Sequence, residues 1–151
     1  MGLESFAHSL MYSLLLYREG RFDEAKANGR KGLELNNADA SWFDLMIDGS
    51  QGLDMRQQGM ETFTRISDKH ALPPNAEMFF WMLLDDTDQA MTIARRLEQE
   101  AGLYELELIF TEEFRAFRQH REFEDFVTAV GLTEYWSSAG CAWLDDELRC
   151  R

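Results

Sequence analysis

Three histidines, two cysteines and two runs of carboxylates are the side chains of this 151-residue chain whose types suit chemistry. His8, His70 and His120 stand far apart, whereas a zinc site needs nitrogen and sulfur ligands at short fixed spacings such as HExxH. Each is read as a surface or partly buried histidine. Ser137-Ser138 comes shortly before Cys141, but no base lies close in sequence to activate a nucleophile. No phosphate-binding glycine loop and no GxSxG elbow is present, and Gly29 and Gly32 fall inside a helical pattern rather than after a strand. Asp85, Asp86 and Asp88 lack the glycine and distal glutamate of a calcium loop. They suit the start of a helix, where the dipole favours negative charge. Asp145, Asp146 and Glu147 are read as a solvated tail. Cys141 and Cys150 have no CxxC spacing and are read as reduced thiols of a cytoplasmic protein, a mutual bridge being the alternative. The expectation is a protein with no catalytic residue, no cofactor and no metal.

Composition narrows the partners. The chain holds 28 acidic and 15 basic residues, a net charge of -13. Residues 1–60 contribute -3 and residues 61–151 contribute -10. A nucleic-acid binder needs clustered cations to displace phosphate counterions, and none is clustered here. An anionic membrane surface would repel the chain, and its longest apolar run, Met78 to Leu84, is too short to span a bilayer. The start of the chain has Glu4 where a secretory signal needs positive charge. The expectation is a soluble protein whose field steers basic segments toward it.

Helical periodicity runs through most of the chain. Phe6, Leu10, Leu14 and Tyr17 recur at helix spacing, with Met11, Leu15 and Leu16 beside them. Gly20 interrupts, and a second stripe runs through Phe22, Ala25, Gly29, Gly32, Leu33 and Leu35. The stretch Gly20-Arg21-Phe22-Asp23-Glu24-Ala25 resembles the turn of a tetratricopeptide repeat. Gly20 permits the turn, Phe22 plugs it, and Ala25 is small where two helices cross. Small residues recur 34 positions on at Gly59, then 31 on at Ala90. In the second copy Asp54 and Arg56 replace the glycine and the aromatic, and the helix before it carries Trp42 through Leu53. In the third, Pro73-Pro74 fix the start of a shortened helix, in which Phe79-Phe80-Trp81-Met82 reads as core.

The fold expected is therefore all-α: an α-α superhelix of about three tetratricopeptide-like helix pairs, residues 6–39, 40–73 and 74–102. Residues 103–151 follow as a helical cap, because stacked repeats leave an apolar end face to cover. Within that cap a short helix is expected over 103–110, Thr111 as a helix cap, and a stripe Phe123, Phe126, Val127, Val130 stopped by Gly131. The series Phe114, Phe117-Arg118, Arg121-Glu122-Phe123, Gly131-Leu132 and Tyr135-Trp136 resembles the C-terminal end of bacterial multidomain signalling and transcription regulators that carry tetratricopeptide repeats.

The resemblance implies a module that binds a protein or peptide along the first helix of each pair. Leu14, Tyr17, Arg18, Asp44, Asp48 and Gln51 are the residues expected to line that groove, suited to a partner with apolar and cationic side chains. A second reading is self-association into a homodimer through Phe6, Met11 and Leu15. A third is a small enzyme with a pocket between repeats and cap.

Overall fold

The computed structural model describes residues 6–35, 37, 39–69, 72–99, 106–144 and 147–151. They are mostly helical, and they fall into two compact units, residues 1–71 and 72–151.

The first unit holds two helix pairs. Helix α1 (Phe6–Arg18) packs on α2 (Phe22–Leu35), and α3 (Phe43–Gln51) packs on α4 (Leu53–Ser67). The α1–α2 turn is closed by Gly20, whose φ of 75° lies in the left-handed region that glycine adopts without strain. Its N–H donates to the Tyr17 carbonyl at 2.9 Å, and that of Arg21 to the Leu16 carbonyl at 2.9 Å. Phe22 meets the Tyr17 ring edge-on, with centroids 5.6 Å apart. Deeper in the pair the buried Ser13 hydroxyl donates to the Ala25 carbonyl at 2.7 Å. That reach needs the small side chain of Ala25, which is wholly buried. Gly59 and Ala90 are buried as well. The second turn is tighter than its sequence implies. Gly52 alone, in extended conformation, separates α3 from α4, and Leu53 opens the later helix instead of closing the earlier one.

The second unit opens with α5 (Pro74–Leu83) packed on α6 (Thr87–Gln99). Proline suits the first helical position because the N–H it lacks would have no partner there. The run Phe79 to Met82 is buried throughout. Asp86 accepts the Gln89 N–H through Oδ1 at 3.1 Å, capping α6, and Asp88 lies in its first turn. Two short 3₁₀ turns (Leu106–Phe110 and Glu112–Phe114) lead into α7 (Arg115–Arg118), α8 (Phe123–Ala129) and α9 (Leu132–Ser138). Of the helix expected over 103–110, the first three positions lie outside the described residues, and the rest is 3₁₀. Thr111 does not cap with its side chain. Its hydroxyl donates backwards to the Leu108 carbonyl at 2.9 Å. Gly131, at φ 82°, ends α8 as its pattern requires.

The cap is not wholly helical. Strands β1 (Cys141–Leu144) and β2 (Glu147–Cys150) form an antiparallel hairpin that pairs Cys141 with Cys150 and Trp143 with Leu148. Cys141 and Cys150 are joined in a disulfide, not held as free thiols. Alternation explains the strand: Cys141 and Trp143 turn inward while Ala142 and Leu144 face out. Glu147 belongs to β2, whereas Asp145 and Asp146 lie outside the described residues. Trp143 joins an aromatic cluster, with centroids 5.6 Å from Trp136, 5.6 Å from Phe123 and 5.7 Å from Phe110. Among the described residues, no helix is long and apolar enough to cross a membrane.

Candidate functional site

The residues expected to line a groove take different places in the first unit. Leu14 is buried in the core, and Tyr17 is half-buried against Phe22. Arg18 and Gln51 are exposed. Asp44 and Asp48, one turn apart on α3, face α2. Lys26 Nζ lies 2.5 Å from Asp48 Oδ1, and Arg30 pairs with Asp44. The hydrogen bond from Lys26 to Asp48 holds the ammonium pKa above the ordinary lysine value, against the lowering effect of burial. The outer oxygens of this acidic face are thus largely neutralised from within the chain. Asp48 and Gln51 do share a shallow cleft with the Gly20–Glu24 turn and Lys26.

A different surface emerges on α1. Its buried residues, Ser9, Ser13, Leu14 and Leu16, face the core. The opposite face runs His8, Met11, Tyr12, Leu15 and Arg18 at helical spacing. Met11 is 58% exposed, Tyr12 45% and Leu15 51%, so three large side chains lie in solvent within two turns. The helix contains no aspartate or glutamate, in a chain with 28 acidic residues. Single exposed apolar side chains are ordinary, whereas a contiguous set on one helix face marks an interaction surface. Met11 and Leu15 were visible in the sequence as part of a wide stripe. Which of its edges faced solvent depended on where Ser9 and Ser13 went. Two serines buried on the inner face are not an expected helical core pattern.

Polar side chains of the second unit serve the fold. Glu77 is fully buried, and Arg96 Nη2 reaches its Oε2 at 3.1 Å. His120 accepts the Glu122 N–H at Nδ1, 3.2 Å, which leaves Nε2 as the protonated nitrogen facing Asp88 Oδ1 at 2.9 Å. Arg95 pairs with Glu98 at 2.9 Å and approaches Glu122 at 3.7 Å. Asp88, Arg95, Arg96, His120, Arg121 and Glu122 line one cleft in which acids and bases answer each other. Arg118 donates from Nη1 to the carbonyls of Ile109 at 2.9 Å and Thr111 at 2.8 Å, tying the 3₁₀ segment to α7. Among the described residues, no group of three or more histidine, cysteine, aspartate or glutamate side chains converges as a metal site. Comparison of the chain with protein families, with characterised proteins and with solved structures finds no match.

Proposed function

We propose that this chain is a non-enzymatic protein-interaction module of tetratricopeptide-like helix pairs, docking its partner on the outward face of α1. The exposed, acid-free apolar stripe of Met11, Tyr12 and Leu15 carries this reading. The helix-pair turn Gly20-x-Phe22-x-x-Ala25 and the buried small residues Ala25, Gly59 and Ala90 support the repeat assignment. The tail series from Phe114 to Trp136 favours a role as the interaction part of a bacterial signalling or transcription regulator, working in the cytoplasm. The partner chemistry that fits is an amphipathic helix whose own apolar stripe packs against that of α1. With Asp44 and Asp48 already paired to Arg30 and Lys26, basic side chains of the partner add long-range steering more than contact energy.

Binding of a labelled amphipathic model helix, with leucines at helical spacing and a basic outer face, tests the reading by fluorescence anisotropy. Re-burying two half-exposed apolar side chains is worth about 2 kcal/mol. The variant Met11→Glu/Leu15→Glu is therefore expected to weaken binding by about 30-fold with its helical circular dichroism unchanged. Equal binding by variant and parent, or none to the parent at high micromolar peptide, rejects the proposal.

A second reading, self-association through the same stripe, is favoured by the absence of acid on α1. Helix α1 carries no carboxylate, so two copies of this acidic chain would meet there without opposing acids on that helix. Sedimentation of the unliganded chain distinguishes the two: a concentration-dependent dimer abolished by the same double substitution supports self-association, and a monomer at high micromolar concentration rejects it.

A further inference from the structure

The hairpin at the end of the second unit is held unequally on its two sides. Strand β1 is anchored, because Trp143 packs on Trp136, Phe123 and Phe110. Among the described residues strand β2 has no buried aromatic anchor of this kind: Glu147, Leu148, Arg149 and Cys150 are all exposed. Among the interactions that hold β2 are its backbone ladder, the pairing of Leu148 across from Trp143, and the bond from Cys150 to Cys141. The Arg151 N–H extends that ladder, donating to the Gly140 carbonyl at 3.1 Å. Packing on the helices supports β1, whereas a two-stranded ladder alone is marginal in water, so the covalent link contributes most on the β2 side.

We propose that the Cys141–Cys150 bond is a thiol–disulfide exchange site, where a dithiol reductant cuts the link and releases β2 while every helix stays folded. Cys150 is exposed and Cys141 half-buried, so the attacking thiolate reaches the Cys150 sulfur. The reductant's first thiolate forms a mixed disulfide with Cys150, the Cys141–Cys150 bond breaks, and the Cys141 thiolate leaves and takes a proton from solvent. The reductant's second thiolate attacks its own sulfur in that mixed disulfide and departs as a cyclic or intramolecular disulfide. Cys150 leaves as a thiolate and is protonated in turn. Two electrons pass to the protein and two protons are taken up, with nothing else consumed. Two local features favour the forward step. Arg149, which pairs with Glu147 at 3.9 Å, and Arg151 line the same cleft as Cys141 and Cys150, and the Arg151 cation there favours an approaching thiolate over the acidic background of the rest of the chain. The Ala139 carbonyl oxygen lies 3.6 Å from Cys141 Sγ, an acceptor placed for the thiol once it forms. Released, Trp143 keeps its ring partners on the helices but loses Leu148 from across the ladder.

The test uses the full chain and dithiothreitol as the probe. Thiol titration of air-oxidised, unfolded protein is expected to find no free thiol, and titration after millimolar dithiothreitol under native conditions two. On reduction, exchange protection of the Arg151 and hairpin amides is expected to fall by about tenfold or more, with the amides of α1 to α6 unchanged. Tryptophan emission should shift to the red, and Trp143→Phe should remove that shift. Cys141→Ser/Cys150→Ser should reproduce the reduced emission without any reductant. Two free thiols in the oxidised protein, resistance of the bond to dithiothreitol in the folded chain, or unchanged hairpin exchange after reduction would each overturn the proposal.

Discussion

Gly29 shows how one residue type can fix a helix contact. It lies on the inner face of α2, and a Cβ built there would overlap the ring of Phe43 on α3. Phe43 is itself fully buried and lies edge-on to Trp42, with ring centroids 5.8 Å apart, so it has little room to retreat. The glycine is therefore kept for closeness, despite costing about 1 kcal/mol of helix propensity relative to alanine. Gly29→Ala is expected to destabilise the first unit by about 2 kcal/mol, overpacking outweighing the propensity gain, as urea unfolding would register. A stabilised variant would mean that Phe43 yields freely. The sequence marked Gly29 as an inward position but carried no sign of its partner, since a contact 14 residues away leaves no trace in periodicity. Ala25 was easier to read, because its place in the turn pattern and its burial beneath Ser13 agree.

The helices announce themselves through spacing, and their ends through Gly20, Pro74 and Gly131, so α1, α2, α5 and α8 were legible within a residue or two. The hairpin was not. Four-residue strands give too short a pattern to separate from coil, and only the even placement of Cys141 and Cys150 about two aspartates hinted at pairing. Partnership between charged residues was also hidden, so Asp44 and Asp48 looked like open acids. Their spacing on α3 matches that of Lys26 and Arg30 on α2, and the pairs run in opposite chain directions, as antiparallel helices require. Such half-exposed pairs are worth about 0.5–1 kcal/mol each. Asp44→Lys/Asp48→Lys is expected to set four cations together and to destabilise the unit by more than the loss of both pairs. Reversing Lys26 and Arg30 as well should recover most of that loss in thermal unfolding. The same contact has a pH signature. Because the folded-state pKa of Lys26 is raised, its contribution is complete at neutral pH and is lost as pH climbs above about 10.4. Lys26→Met should flatten that alkaline decline, and an unchanged decline would dissociate Lys26 from it.

Over the whole chain, composition spoke clearly about charge and weakly about the site. The excess of acid is a sum that any arrangement preserves, whereas the α1 stripe depends on which side of a helix the core claims. With a pI near 4.5, repulsion between copies fades in mild acid. Light scattering is expected to show association rising as pH falls from 7 toward that value. Added salt at neutral pH should act in the same direction by screening, and Met11→Glu/Leu15→Glu should blunt both effects if the stripe is where copies meet. Trp81, Trp136 and Trp143 belong to residues 72–151, and Trp42 stands alone in residues 1–71, buried with its ring 5.7 Å from that of Phe63. With phenylalanine at the other three positions, the first unit would possess a private optical probe, and melting it would be observed without interference from its neighbour.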